Sequence, residues 1–400
     1  MPAECNQKDF GFHPLRQREI RAQLDCRALT TVGGGLLLRE NQHNANVSPC
    51  EPLESYSVDQ SKTSPRLPFV SVVMPVRNEA DWIVRSVSAV LTQDYPRELM
   101  EIIVADGQSI DGTREKIQAL SAEDSRVRLI DNPGKIAPTG LNACLRVAKG
   151  EVVIRVDGHC EIESDYASRC VQHLRVAKVQ VVGGPLDTIG ETQLARTVAI
   201  AMSSPFGVGN SSFRTRKNAT MLTDTVAFPA YTRAAIDDAG PFDEELVRNQ
   251  DDEYHFRLRK RGAKILLASD VRARYYARSS FRSLWNQFFQ YGYWKVRVMQ
   301  KHALQMSVRH FVTPIFALTL ITTAVLAPFN SVMRALFWAT VSSYAIANLA
   351  ASLIAAKVKG WPHVKKLPLT FAILHLGYGI GFLKGIVRFI LIPRLAPDRH

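Results

Sequence analysis

The sequence predicts an α/β domain, a mostly parallel sheet with helices on both faces, followed by transmembrane helices. Three observations carry that prediction. From Phe69 to Gly184, apolar strand-like runs alternate with stretches of helical periodicity. Asp106 and Asp157 fall at the ends of two such strands, where open α/β sheets bind their ligands. After residue 310, the spans 311–329, 335–356 and 367–383 contain no Asp, Glu, Lys or Arg.

Taken in order, FVSVVMP is a strand, and Trp82, Ile83, Val87, Val90 and Leu91 then recur at helical spacing within 79–93. EIIVAD is the next strand. The helix after it is opened by DGT, with Asp111 placed to cap it. VRLID is a strand, and APTGLNACLRVAKG is a helix expected to end at Gly150. EVVIRVD, a helix over 163–176 and VQVVGG complete the alternation. Residues 1–66 hold no apolar run long enough for a signal peptide and are expected to be weakly structured.

The net charge is +13 over 400 residues, and its position matters more than its size. Between Arg257 and His310 there are thirteen Lys or Arg and one acid, Asp270. Long apolar runs follow at once, so the excess points to an anionic membrane surface and not to nucleic acid. No zinc-finger spacing or RNA-binding signature is present. The six cysteines are far apart without a CxxC pair, as expected of buried thiols in a reducing compartment.

The uncharged runs have the length a hydrocarbon core requires, the third only just. Trp338, Tyr344, Trp361 and Tyr378 lie among them, and KVKGWPHVKK carries four lysines. The positive-inside rule places that loop and the basic segment before residue 310 on the cytoplasmic side, two crossings apart. The third run either spans or lies in the interface. The expected organisation is therefore an extension over 1–66, an α/β domain over 67–280, a basic amphipathic helix over 281–310 and a membrane region of two or three helices over 311–393.

Three acidic clusters remain: VADGQSIDGT at 104–113, RVDGHC at 155–160 and NQDDEYHFRLRKRG at 249–262. MPVRNE at 74–79 and QYGYW at 290–294 accompany them. Each alone reads as turns, helix starts or an amphipathic surface. In this order and spacing they resemble the inverting glycosyltransferases of family 2, which have the GT-A fold. Pro75 to Glu79 matches the family's P-x-x-N-E, and Asp106 to Thr113 matches D-G-S-x-D-G-T with one extra residue. GLNACLRVAKGEVVIRVDGH matches the segment leading into D-x-D, and QDDE the E-D-x-[DE] motif. With the membrane tail, the resemblance extends to glucosyltransferases of succinoglycan-type exopolysaccharides.

The resemblance implies a cytoplasmic domain on the inner (plasma) membrane. It would use a UDP-sugar donor and a polyprenyl-diphosphate-linked acceptor, with membrane lipids around it. A divalent cation, Mn2+ or Mg2+, would neutralise the departing diphosphate through Asp157 and His159. His159 departs from the family's second Asp, and imidazole suits manganese better than magnesium. Pro75, Asn78, Glu79 and Asp106 would serve the donor, Asp106 by accepting the uracil N3–H. Asp251 would be the base that takes the acceptor proton, with Asp252 as the alternative. Gln290 and Trp294 match Q-x-x-R-W on the donor side, but Tyr293 replaces its Arg, which favours addition of a single sugar. A processive synthase and a non-catalytic nucleotide-sugar-binding membrane module are the other two readings.

Overall fold

The computed structural model describes residues 66–305 and 307–392. The expectation for 1–66 therefore lies almost wholly outside the described residues. Strands β1 (Val70–Val76), β2 (Met100–Asp106), β3 (Val127–Asp131) and β4 (Val152–Arg155) alternate with helices α1 (Ile83–Leu91), α2 (Thr113–Glu123) and α3 (Ala137–Val147). Then follow β5 (Cys160–Ile162), α4 (Tyr166–Val176), β6 (Val181–Gly184), β7 (Leu186–Ile189), α5 (Gln193–Met202) and the single turns α6 (Pro205–Val208) and α7 (Ser212–Thr215). The domain closes with β8 (Met221–Leu222), β9 (Ala227–Thr232), α8 (Arg233–Ala239), α9 (Gln250–Lys260), β10 (Ile265–Leu267) and β11 (Ala273–Tyr276).

The main sheet runs β3-β2-β1-β4-β9-β6-β10-β8, and a small sheet runs β5-β11-β7. β1 pairs in parallel with β2 and β4, and β2 with β3. Both faces are covered: Val72, Met74, Ile102 and Val104 pack on one side, Val73, Ile103 and Ala105 on the other. That two-sided burial is why these strands read as unbroken apolar runs.

Two features differ from the sequence reading. β9 enters antiparallel between β4 and β6, so the sheet is mixed. Helix α3 ends at Val147, short of Gly150, because Ala148 is already extended and Gly150 N–H donates to the Ser71 hydroxyl at 2.7 Å. The expected cap by Asp111 is displaced by one residue: Gly112, at φ 91°, caps α2, and Asp111 before it accepts the Thr113 N–H at 3.1 Å. Cys144, Cys160 and Cys170 are buried and free, and burial pushes the Cys144 thiol up to about 12, so it is no nucleophile.

The carboxyl-terminal part comprises α10 (Phe281–Lys301), α11 (Arg309–Leu326), α12 (Ser331–Lys359) and α13 (Leu367–Ile386). Among the described residues, three stretches are long and apolar enough to cross a membrane: Arg309–Leu326, Ser331–Lys359 and Leu367–Leu391. Helices α11 and α12 form a hairpin in which Phe316 stacks on Tyr344 at 4.5 Å. Their outer surfaces expose Val312, Ile315, Leu318, Ile321, Leu336, Trp338 and Ile346. Helix α13 instead runs alongside α10, where Gly381 lies against the Phe289 backbone and Gly292 against that of Tyr378. A side chain at either glycine would overlap the neighbouring helix, so the close approach requires them.

Candidate active site

Parallel register brings the motifs to one edge. Val76 is level with Asp106 and Val73 with Arg155, so the segments after β1, β2 and β4 emerge side by side. Pro75 is tolerated in a central strand because the β1–β4 ladder has ended by Val73. Asn78 takes a left-handed turn with φ 54°. Its amide oxygen accepts the Ile110 N–H at 3.0 Å, and its own N–H donates to the Ser109 hydroxyl at 2.8 Å. Glu79 N–H donates to the Thr113 hydroxyl at 2.8 Å, and that hydroxyl donates to Asp111 at 2.6 Å. The first two motifs are thus stitched into one loop pair.

Asp106 is buried inside that stitch. Its oxygens accept the Ser109 N–H at 3.3 Å, and Arg114 reaches it at 3.3 Å while also pairing with Asp131 at 2.8 Å. Here Asp106 holds the turn that follows it.

Strand β4 ends at Arg155, and Asp157, Gly158 and His159 form the turn into the small sheet. Arg155 is buried and was not singled out by the sequence motifs. Its Nε and a terminal nitrogen hold Asp157 Oδ1 at 3.0 and 2.9 Å, and its other terminal nitrogen pairs with Asp251. One guanidinium therefore brings together the strand-tip carboxylate and the first acid of α9. A lone charged residue in the apolar run VVIRV was the only signal for it. His159 Nδ1 lies 2.9 Å from Glu79 Oε1, and its ring meets Tyr275 edge-on at 5.4 Å.

The acids of α9 fan out to separate partners. Asp251 goes to Arg155, and Asp252 to Lys295 of α10. Glu253 goes to Arg257 at 2.6 Å and His302 at 2.9 Å. All three are favoured electrostatically by the helix amino terminus. The surroundings of Asp252 disfavour charge, but the Lys295 ammonium outweighs them and holds its carboxyl below the usual range. His255, one turn on, is pushed down to about 3 by burial and sits neutral between the Thr225 and Tyr231 hydroxyls. It serves packing and not proton transfer.

On α10, Trp294 donates its ring N–H to Gln290 at 2.9 Å and packs on Phe389. Among the described residues, no hydrogen bond or ion pair joins Gln290 or Trp294 to the strand-tip carboxylates. What ties α10 to the site is Lys295 and the Tyr291 carbonyl, which accepts from the Asn249 side chain at 2.9 Å.

No group of three or more His, Cys, Asp or Glu side chains among the described residues forms a closed metal site. An open one is a different matter. A cation bridging a diphosphate takes most of its ligands from phosphate and water and needs only one or two protein groups. Asp157 keeps Oδ2 clear of the Arg155 contact, and His159 keeps Nε2 clear of the Glu79 contact. Both side chains are partly exposed, at 24% and 17%. The residues present fit a divalent ion of this kind.

Strands alternating with helices, acids gathered at their carboxyl ends and a mixed sheet define a GT-A-like glycosyltransferase fold. The comparisons agree. Residues 71–239 match the family model described as glycosyl transferase family 2. The succinoglycan biosynthesis protein ExoA of Rhizobium meliloti is 27% identical over 80% of this chain and 95% of its own length. A dolichyl N-acetyl-α-D-glucosaminyl phosphate 3-β-D-2,3-diacetamido-2,3-dideoxy-β-D-glucuronosyltransferase of Methanococcus voltae is 26% identical over 58% of this chain and 74% of its own. Among solved structures, the mannosyltransferase PcManGT of Pyrobaculum calidifontis, in complex with GDP-Man and Mn2+, superposes with a TM-score of 0.52. It is 20% identical, covering 82% of this chain and 89% of that one, a likeness of fold. The chain is a glycosyltransferase that carries a family 2 domain over residues 71–239, and it is related to exopolysaccharide and lipid-linked glycan transferases.

Proposed function

We propose that the protein transfers one hexose, with inversion, from a UDP-sugar to a polyprenyl-diphosphate-linked saccharide in exopolysaccharide or cell-surface glycan synthesis. The observation that carries this reading is the Arg155 bridge, which sets Asp157 and Asp251 on one guanidinium at the strand tips. Asp157 and His159 would hold a divalent cation, Mn2+ or Mg2+, which supplies charge neutralisation to the departing diphosphate. Asp251 takes the proton of the acceptor hydroxyl. That oxygen forms its bond to the anomeric carbon from the face opposite the diphosphate, and the broken bond's electrons leave with UDP. Both aspartates pair with a buried cation, but Arg155 keeps Asp157 when Asp251 takes the proton, whereas Lys295 would lose its carboxylate partner if Asp252 did. Pro75, Asn78 and Asp106 shape the nucleoside side of the donor site, and Glu79 stands at its diphosphate side against His159.

The test is product analysis with a lipid-extract acceptor. A shift by one hexose, with the anomer opposite to the donor's, is the expected result. A ladder of lengths would favour the processive reading, and donor binding without transfer the non-catalytic one.

The same proposal places the catalytic domain on the cytoplasmic face of the inner membrane. Helix α10 is fastened to that domain by Lys295 with Asp252, Arg297 with Glu245 at 2.7 Å and Lys301 with Asp243. Helix α13 follows α10 and also reaches the domain through His375 Nε2, 2.7 Å from the Phe206 carbonyl. Helix α10, bound along its length to the aqueous domain, cannot also run perpendicular through the bilayer, and α13 runs beside it while its Gly379 lies against the Thr313 backbone of α11. Helix α13 thus lies in the interface, α11 and α12 make the two crossings, and Lys384 and Arg388 stay on the cytoplasmic side as the positive-inside rule requires. Carboxyl-terminal fusions should make green fluorescent protein fluoresce and leave alkaline phosphatase inactive. The opposite pattern would show three crossings.

A further inference from the structure

We infer that Glu79 is a positioning residue that fixes the tautomer and orientation of His159 for metal binding, an inference that rests on the metal-dependent reading above. An ionised carboxylate only accepts hydrogen bonds, so the 2.9 Å contact makes His159 Nδ1 the donor. The ring proton is then on Nδ1, and Nε2 carries the lone pair a cation needs. Carboxylates set behind metal-bound histidines do this work in other metal sites. The D-x-H variant creates the requirement, because a carboxylate in the same place has no tautomer to choose.

The rest of the geometry serves the same end. Glu79 is pinned at both backbone groups: its N–H to the Thr113 hydroxyl, and its carbonyl to the Trp82 and Ile83 amides at 2.9 and 2.8 Å. Its side chain lies directly over Gly158, where a Cβ would meet Glu79 Cγ at 3.0 Å and Val76 Cγ1 at 3.0 Å. The Gly158 carbonyl is held by the Ser86 hydroxyl at 2.9 Å, so the turn cannot slide away from the carboxylate. Glycine between Asp157 and His159 is what lets the orienting group stand this close. Glu79 therefore faces His159, on the metal side of the site.

The experiment measures Mn2+ affinity of the detergent-purified full chain by electron paramagnetic resonance of free Mn2+. UDP is present, with GDP in parallel. Glu79→Leu should weaken Mn2+ binding about 10- to 100-fold. Glu79→Gln should retain most of it, because the amide oxygen still accepts from Nδ1. In a His159→Asp background, Glu79→Leu should cost nothing further. An equal loss in that background would overturn the inference, since Glu79 would then act on something other than the imidazole. So would a loss of nucleotide affinity in chelator, which would place Glu79 on the nucleoside. Wild-type protein that binds nucleotide yet takes up no Mn2+ would overturn the metal reading itself, and this inference with it.

Discussion

Asp251→Asn abolishes sugar transfer while leaving nucleotide binding and the melting temperature close to wild type. The amide keeps the shape of the side chain and can still accept from Arg155, so the α9 start stays in place. What it loses is the ability to take a proton from the acceptor hydroxyl. General-base catalysis is worth about a hundred- to ten-thousand-fold, and the loss should fall in that range. The check is kcat for UDP release beside a donor-binding titration on the same preparation. Full activity would remove Asp251 from the mechanism.

Asp252→Leu gives the opposite pattern. Removing this carboxylate leaves the Lys295 ammonium, whose side chain is only 6% exposed, without its partner. Breaking a buried pair from one side costs about 3–5 kcal/mol. Because Asp252 keeps about a third of its side chain exposed, the lower end of that range is expected here. In a domain of the size of 67–280 each kcal/mol moves the melting temperature by roughly 2–4 °C, so a fall of several degrees follows. The folded fraction should still turn over. Adding Lys295→Met should recover much of the stability, since two apolar groups replace the pair without an orphaned charge. A double variant no more stable than Asp252→Leu alone would show that the pair is not what fastens α10 to α9.

These two neighbours show where sequence reading reaches and where it stops. Both aspartates were legible as candidates, because acids at the start of a helix in this order of motifs are distinctive. Which one faces the site was not legible, because helix geometry turns adjacent residues about 100° apart and only the tertiary partners decide. Arg155 and Lys295 supply those partners from 96 and 43 positions away.

The parallel core was readable for a physical reason. A strand buried on both faces leaves a continuous apolar run, and β1, β2 and β4 each do so. β9 was harder: AFPAYT has a proline and no alternation, and it enters the sheet only through pairing with β4 and β6. For α13 the sequence left two placements open, a span or a helix in the interface. Its composition satisfies the rule for a membrane span, yet it packs along α10 as well as against α11 and α12, and GYGIGFLKG encodes the α10 contact by residue size and not by hydropathy. Glu79 was visible as part of P-x-x-N-E, but its proximity to His159 comes from register between β1 and β4, which no local pattern reports.

Metal-dependent transfer from a UDP-sugar at this edge of the sheet is measured as UDP release by the detergent-purified protein, across a panel of UDP-sugars with lipid-extract acceptor, in manganese and in chelator. Release from one donor, lost in chelator and lost in Asp251→Asn, is the expected result. Release that persists undiminished in chelator, or silence across the whole panel with folded protein and a competent acceptor, would contradict it.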